Sequence, residues 1–160
     1  MTFARSNGPF ATGSCDILSR TNAETGTLLH ALGRLTDLDW TVTLVGHGAD
    51  AAVVGLLGDR VRVVAEIDDG PWDRAGCYCH AGGLDPTLVE ALRRGLPIAL
   101  VSDAAVNLAP EACVLAAPGA VDDLSKGLRR IVFDSALRAR MADAAVAFAA
   151  TLPSDDAQEG

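Results

Sequence analysis

Short apolar runs of strand length alternate along this chain with segments whose apolar residues recur every three or four positions, the pattern of a parallel sheet covered by helices. The runs Cys15 to Ser19, Thr41 to Val45, Val61 to Ala65, Cys77 to Cys79, Pro97 to Val101 and Cys113 to Ala116 are almost continuously apolar, as strands covered on both faces must be. Between them, Thr27 to Leu35 carries Leu28, Leu29, Leu32 and Leu35 on one helical face, and Ala49 to Leu57 repeats the period more weakly. Asp85-Pro86 predicts a helix start, because Asp caps free backbone N–H groups and Pro is tolerated at the first helical position. Gly95-Leu96-Pro97 ends that helix near Arg94. Val121 to Phe133, with Leu124, Leu128 and Ile131 as its buried stripe, and Ser135 to Ala150 read as two closing helices broken at Phe133-Asp134-Ser135.

The expected fold is therefore α/β: one Rossmann-like domain with a six-stranded, mostly parallel sheet and helices on both faces. Its expected span is residues 14–152, after a flexible lead of residues 1–13 and before an acidic tail of residues 153–160. A chain of 160 residues supports one core, and no internal repeat divides it.

Charge narrows the partners. Twenty-one acids against 13 Lys and Arg residues give a net charge of −8, and Lys126 is the only lysine, so no basic face is predicted for a nucleic-acid backbone. No run approaches the roughly 18 apolar residues of a spanning helix, and the start lacks a signal-peptide core. Cytoplasmic residence is the expectation. Cys15, Cys77, Cys79 and Cys113 fall in or beside apolar runs, where reduced cysteine behaves as a small hydrophobe.

Glu90-Ala91-Leu92-Arg93-Arg94-Gly95-Leu96-Pro97-Ile98-Ala99 resembles the signature of family 4 glycosyltransferases, in which a glutamate-alanine helix ends at a glycine and a proline opens the next strand. Leu28-Leu29-His30-Ala31-Leu32, Leu35 to Trp40 and Gly46-His47-Gly48 follow the family in order and spacing. So do Ala116-Ala117-Pro118-Gly119, Val121 to Leu124 and Asp134 to Met141. One departure is Gly70 to Gly76, where the family fits a full helix and this chain has room for about one turn. The resemblance implies the C-terminal half of a retaining enzyme of GT-B fold, holding a nucleotide-sugar donor without a cofactor, with an N-terminal acceptor half supplied by another chain.

The resemblance also implies site residues. The family carries two glutamates separated by seven residues; Glu90 matches the second, on the nucleoside ribose, while Gly82 stands where the sugar-facing carboxylate belongs and Gly83 keeps a flexible loop position. Arg20 matches a diphosphate-binding arginine and Gly26 the glycine that follows, but Thr25 replaces the family's lysine. Asp85 sets a negative charge at a helix start that would otherwise favour phosphate. By themselves, Glu90 also reads as a solvated helix carboxylate and Arg20 as a surface residue flanking a strand.

Two further patterns bear on ligand chemistry. Gly46-His47 follows a strand and is a candidate pocket lining or a plain turn; it lacks the glycine spacing and lysine of a phosphate loop. Cys77-Tyr78-Cys79-His80 offers soft metal ligands, yet a strand sets both cysteines on one face and His80 on the other, so core cysteine is the better reading. Two functions follow: a donor-binding glycosyltransferase half, inactive alone, or a non-catalytic binding or interaction module of the same fold.

Overall fold

The structure is a computed structural model that describes residues 15–47, 51–66, 69–102 and 110–152. The expected lead of residues 1–13 and the acidic tail of residues 153–160 both lie outside these residues, and the first strand begins at Cys15.

Among the described residues six strands form one sheet: β1 (Cys15–Arg20), β2 (Trp40–Val45), β3 (Val61–Val64), β4 (Cys77–Ala81), β5 (Ile98–Val101) and β6 (Cys113–Ala116). Their order is β3-β2-β1-β4-β5-β6, and every pairing is parallel. The sheet is thus wholly parallel. The helices are α1 (Thr25–Gly33), α2 (Ala51–Leu57), α3 (Asp69–Arg74), α4 (Pro86–Arg93), α5 (Val121–Phe133) and α6 (Ser135–Ala149).

Helices cover both sheet faces because successive crossovers run outward in opposite directions from β1, and right-handed connections then fall on opposite sides. On one face Ile17, Val42, Leu44, Cys77 and Cys79 pack under Leu28, Leu32, Leu128 and Ile131 of α1 and α5. On the other, Leu18, Tyr78, Ile98 and Leu100 pack under Trp72, Leu88, Leu92 and Ala145 of α3, α4 and α6. The two-residue alternation along β4 places Cys77 and Cys79 in one core and Tyr78 in the other, as its sequence predicts.

Boundaries moved where local hydrogen bonds decided them. β1 extends one residue to Arg20 because Arg20 stays in register with Val45. α1 begins at Thr25, two residues early, through the turn that Thr25 N–H closes on the Asn22 carbonyl (3.1 Å), and it ends at Gly33 although Leu35 remains buried. Pro97 lies just outside β5, yet its carbonyl accepts from Tyr78 N–H at 2.9 Å. α3 is short, as the sequence implied, at six residues.

Candidate functional site

In a parallel sheet of this order the chain leaves β1 on both sides, first toward β2 and later toward β4, so the loops after β1 and β4 part and open a crevice at the carboxyl edge. Arg20 is the last residue of β1 and is exposed there. Its Nη1 donates to Thr87 Oγ1 at 3.0 Å, joining the end of β1 to the first turn of α4 across the crevice. Thr87 was not singled out from the sequence. A hydroxyl one residue beyond the Asp85-Pro86 start is the only signal that could have found it.

The loop after β1 is held by its own polar side chains. Asn22 Nδ2 donates to the Arg20 carbonyl at 2.8 Å, and Asn22 Oδ1 accepts from Glu24 N–H at 2.7 Å. Thr25 Oγ1 accepts from Asn22 N–H at 2.8 Å and the residue is only 6% exposed. Thr25 is thus a buried, turn-closing hydroxyl and not a side chain that reaches into the crevice. Gly26 follows, exposed, in the first turn of α1. Glu24 Oε1 accepts from Thr27 Oγ1 at 2.9 Å and from Gly119 N–H at 3.0 Å, tying this loop to the turn before α5.

Gly46 follows β2 at φ 122°, and a Cβ there would collide with Thr21 Oγ1. Thr21 N–H donates to the Val45 carbonyl at 2.9 Å, so the loops after β1 and β2 approach closely, and only glycine fits. His47 follows and is exposed.

After β4, Gly82 at φ 101° turns the chain, and Gly82 and Gly83 are both exposed. His80, 6% exposed, holds this turn: its Nε2 lies 2.8 Å from the Gly83 carbonyl and 3.7 Å from Asp85 Oδ2. A carbonyl only accepts, so Nε2 carries the proton and donates. The ring also stacks on Tyr78 with centroids 5.8 Å apart. Asp85 Oδ1 accepts from Leu88 N–H at 2.8 Å, the expected N-cap, which leaves its negative charge at the start of α4.

Arg20, Gly26, Gly46, His47, Gly82 and Gly83 therefore gather at one sheet edge. Glu90 stands apart from them, one turn beyond Thr87 on α4. Its Oε2 accepts from Arg94 Nε at 2.6 Å, and Arg94 reaches Asp73 at 3.6 Å and lies over the Trp72 ring at 5.1 Å. One carboxylate oxygen is thus drawn away from the crevice.

Cysteine chemistry is unfavourable. Burial pushes the Cys15 and Cys79 thiols up to about 12 and Cys77 well above its ordinary value, so neither nucleophilic nor metal-ligating thiolate is favoured near neutrality. Among the described residues no three His, Cys, Asp or Glu side chains cluster as metal ligands. A cleft of about 530 Å³ lies at the opposite, amino edge, between α3, the end of α4 and α6. Its arginines are occupied: Arg94 by Glu90 and Asp73, and Arg138 Nη1 by the Ile131 and Val132 carbonyls at 2.6 and 2.7 Å. Its size alone does not make it the site.

No family model and no curated protein matches the sequence. Solved structures do match the fold. Sucrose-phosphate synthase from Thermosynechococcus elongatus superposes with a TM-score of 0.69 at 21% identity, over 93% of this chain and 43% of that one. Anabaena HepE in complex with UDP gives 0.67 at 19% identity, over 93% and 47%. The glycosyltransferase VinC in complex with dTDP gives 0.61 at 20%, over 87% and 38%. The chain has the Rossmann-like α/β fold found in these GT-B structures and spans less than half the length of each. Among the described residues no helix is long and apolar enough to cross a membrane.

Proposed function

We propose that this chain is a nucleotide-sugar-binding domain of the GT-B type, similar to the C-terminal half of a retaining family 4 glycosyltransferase, reduced at two donor positions and inactive in transfer alone. The observation that carries the proposal is the 3.0 Å bridge from Arg20 to Thr87, which sets a cation beside the first turn of α4 at the crevice of the sheet. An arginine there meets a diphosphate with paired donors, while Gly82 and Gly83 allow the chain to pass close to a ligand. Glu90 reaches a ribose by sharing its carboxylate with Arg94. That neighbouring folds hold UDP and dTDP supports a nucleoside diphosphate as the ligand class.

The reduction is physical. Thr25 supplies no charge, Gly82 supplies no carboxylate to the sugar, and Asp85 opposes the phosphates. Transfer would further need an acceptor half, which we propose comes from a partner in trans, and cytoplasmic residence accords with four free cysteines, of which Cys15, Cys77 and Cys79 are buried. The second reading, a non-catalytic module of the same fold, is favoured by the buried Thr25, since a donor site under selection for charge has little use for a sealed hydroxyl there.

Calorimetric titration with UDP tests the ligand. Weak binding is expected, lowered about tenfold by Arg20→Ala, or roughly 1.4 kcal/mol, and less by Glu90→Gln. Affinity unchanged by Arg20→Ala in folded protein sinks the site, and consumption of a nucleotide-sugar by the purified chain sinks the claim of inactivity.

A further inference from the structure

β3 is the sheet edge that the helices leave least covered. None of its four residues is buried, and Val63 is 50% exposed. No residue of α2, the helix that precedes it, is buried either, and Leu56 is 85% exposed. Val61 and Val64 each pack only partly against a core, one on each face, which is unusual because parallel strands ordinarily lie fully beneath helices. The edge presents main-chain groups that can take another strand.

Which groups point outward follows from the ladder. The Val64 carbonyl accepts from Gly46 N–H at 2.8 Å, so Val64 spends its main chain on β2. In a parallel pair alternate residues do so, which turns the main-chain groups of Val63 away from β2 and, if the strand continues, those of Ala65. A two-fold pairing of this edge with a second copy is antiparallel and must bond odd positions to odd positions. Three registers do so with two or more bonded residues per copy over residues 61–66. Centring on residue 62 sets Arg62 against Arg62, a repulsion. Centring on Val63 sets Arg62 against Val64. Centring on Val64 bonds Val63 to Ala65 in both directions, sets Val64 against Val64, and places Arg62 of each copy opposite Glu66 of the other.

We propose that β3 is a homodimerisation edge, occupied by β3 of a second copy in the register that pairs Arg62 with Glu66. The self-complementary charge selects both the occupant and the register, and a two-fold interface closes without forming a filament. Ala65 and Glu66, which follow β3 as an exposed bend, straighten to lengthen it by two residues. The crevice between β1 and β4 lies two strands away and stays open.

Charge reversal tests this. Arg62 and Glu66 are exposed, so Arg62→Glu and Glu66→Arg should fold, as circular dichroism can verify. By sedimentation equilibrium at low salt, the parent is expected to dimerise in the range of roughly 10–500 μM, as suits a small interface. Either single variant places like charges opposite each other twice per dimer, and its association should fall about tenfold or more. An equimolar mixture of the two variants restores both pairs and should dimerise like the parent. A parent that stays monomeric to about 1 mM, single variants that associate as the parent does, or a mixture that stays monomeric overturns the proposal.

Discussion

The two edges of the sheet use their polar residues in opposite ways. At the amino edge they are spent on one another and on free carbonyls. Thr41 Oγ1 donates to Asp16 at 2.6 Å, Trp40 Nε1 to the Leu35 carbonyl at 2.7 Å, and Arg60 to the Leu38 and Thr36 carbonyls at 2.9 Å each. Arg129 forms a two-bond pair with Asp37 at 3.0 and 3.1 Å. At the carboxyl edge, Gly46 and Gly82 turn the chain in conformations other residues avoid, and Arg20, His47 and Asp85 remain exposed. The amino edge commits its charged groups to ion pairs and carbonyls, whereas the carboxyl edge, though its loops are also cross-linked, keeps Arg20, His47 and Asp85 exposed where the proposed ligand would sit. Lost side-chain bonds at the first should therefore appear as lost stability, whereas at the second turn and cap changes should cost stability and changes of charge should alter binding.

The largest effect expected is at the amino edge. Arg138, 4% exposed, donates to two carbonyls at the end of α5, and Arg138→Ala leaves them buried without that donor and opens space beside the core. Urea unfolding should show a loss of about 3 kcal/mol, with UDP affinity of the folded fraction unchanged. A change in affinity would couple the two edges and break the comparison.

Gly46→Ala at the carboxyl edge should cost about 2 kcal/mol, from backbone strain and the collision with Thr21. Adding Thr21→Ala should return the collision part alone. Full recovery in a urea melt would mean that the backbone conformation there is unstrained.

Asp85 separates stability from binding at a single position. Asp85→Ala removes the cap to Leu88 N–H and should cost about 1 kcal/mol, whereas Asp85→Asn keeps a capping oxygen and removes the charge. Asp85→Asn should bind UDP a few-fold more tightly than the parent at low salt, with the gain shrinking as salt rises. No gain in folded protein would place the phosphates away from α4.

The smallest effect concerns Asp16. Burial raises its carboxyl above the ordinary value, with the Thr41 bond and the Arg74 and Arg62 charges opposing that rise only in part. An acid raised in this way stabilises the fold most when protonated, and the contribution is lost as pH rises through its folded value. Asp16→Asn should therefore gain slightly on the parent as pH rises above about 4, in urea midpoint comparisons. A gain that grows toward low pH instead would reverse the assigned cause.

Much of this molecule was legible in its residues. Local rules suffice for the apolar runs that became six strands, for the Asp85-Pro86 start of α4, and for the split of Cys77 and Cys79 from Tyr78. Each depends on neighbours in sequence: a two-residue alternation, or a cap that reaches its own helix. The placing of Arg20, Gly26, Gly46, His47, Gly82 and Gly83 at one edge was also within reach, because a parallel sheet brings every strand-to-helix turn to the same side. Tertiary structure alone decided what those residues touch. Arg20 and Thr87 are 67 positions apart and meet only because β1 and β4 are neighbours in the sheet. Thr25 is sealed, and Glu90 is turned toward Arg94, by bonds whose alternatives look equally sound in sequence. Side chains near a sheet edge have several partners within reach, and three-dimensional packing is what chooses among them.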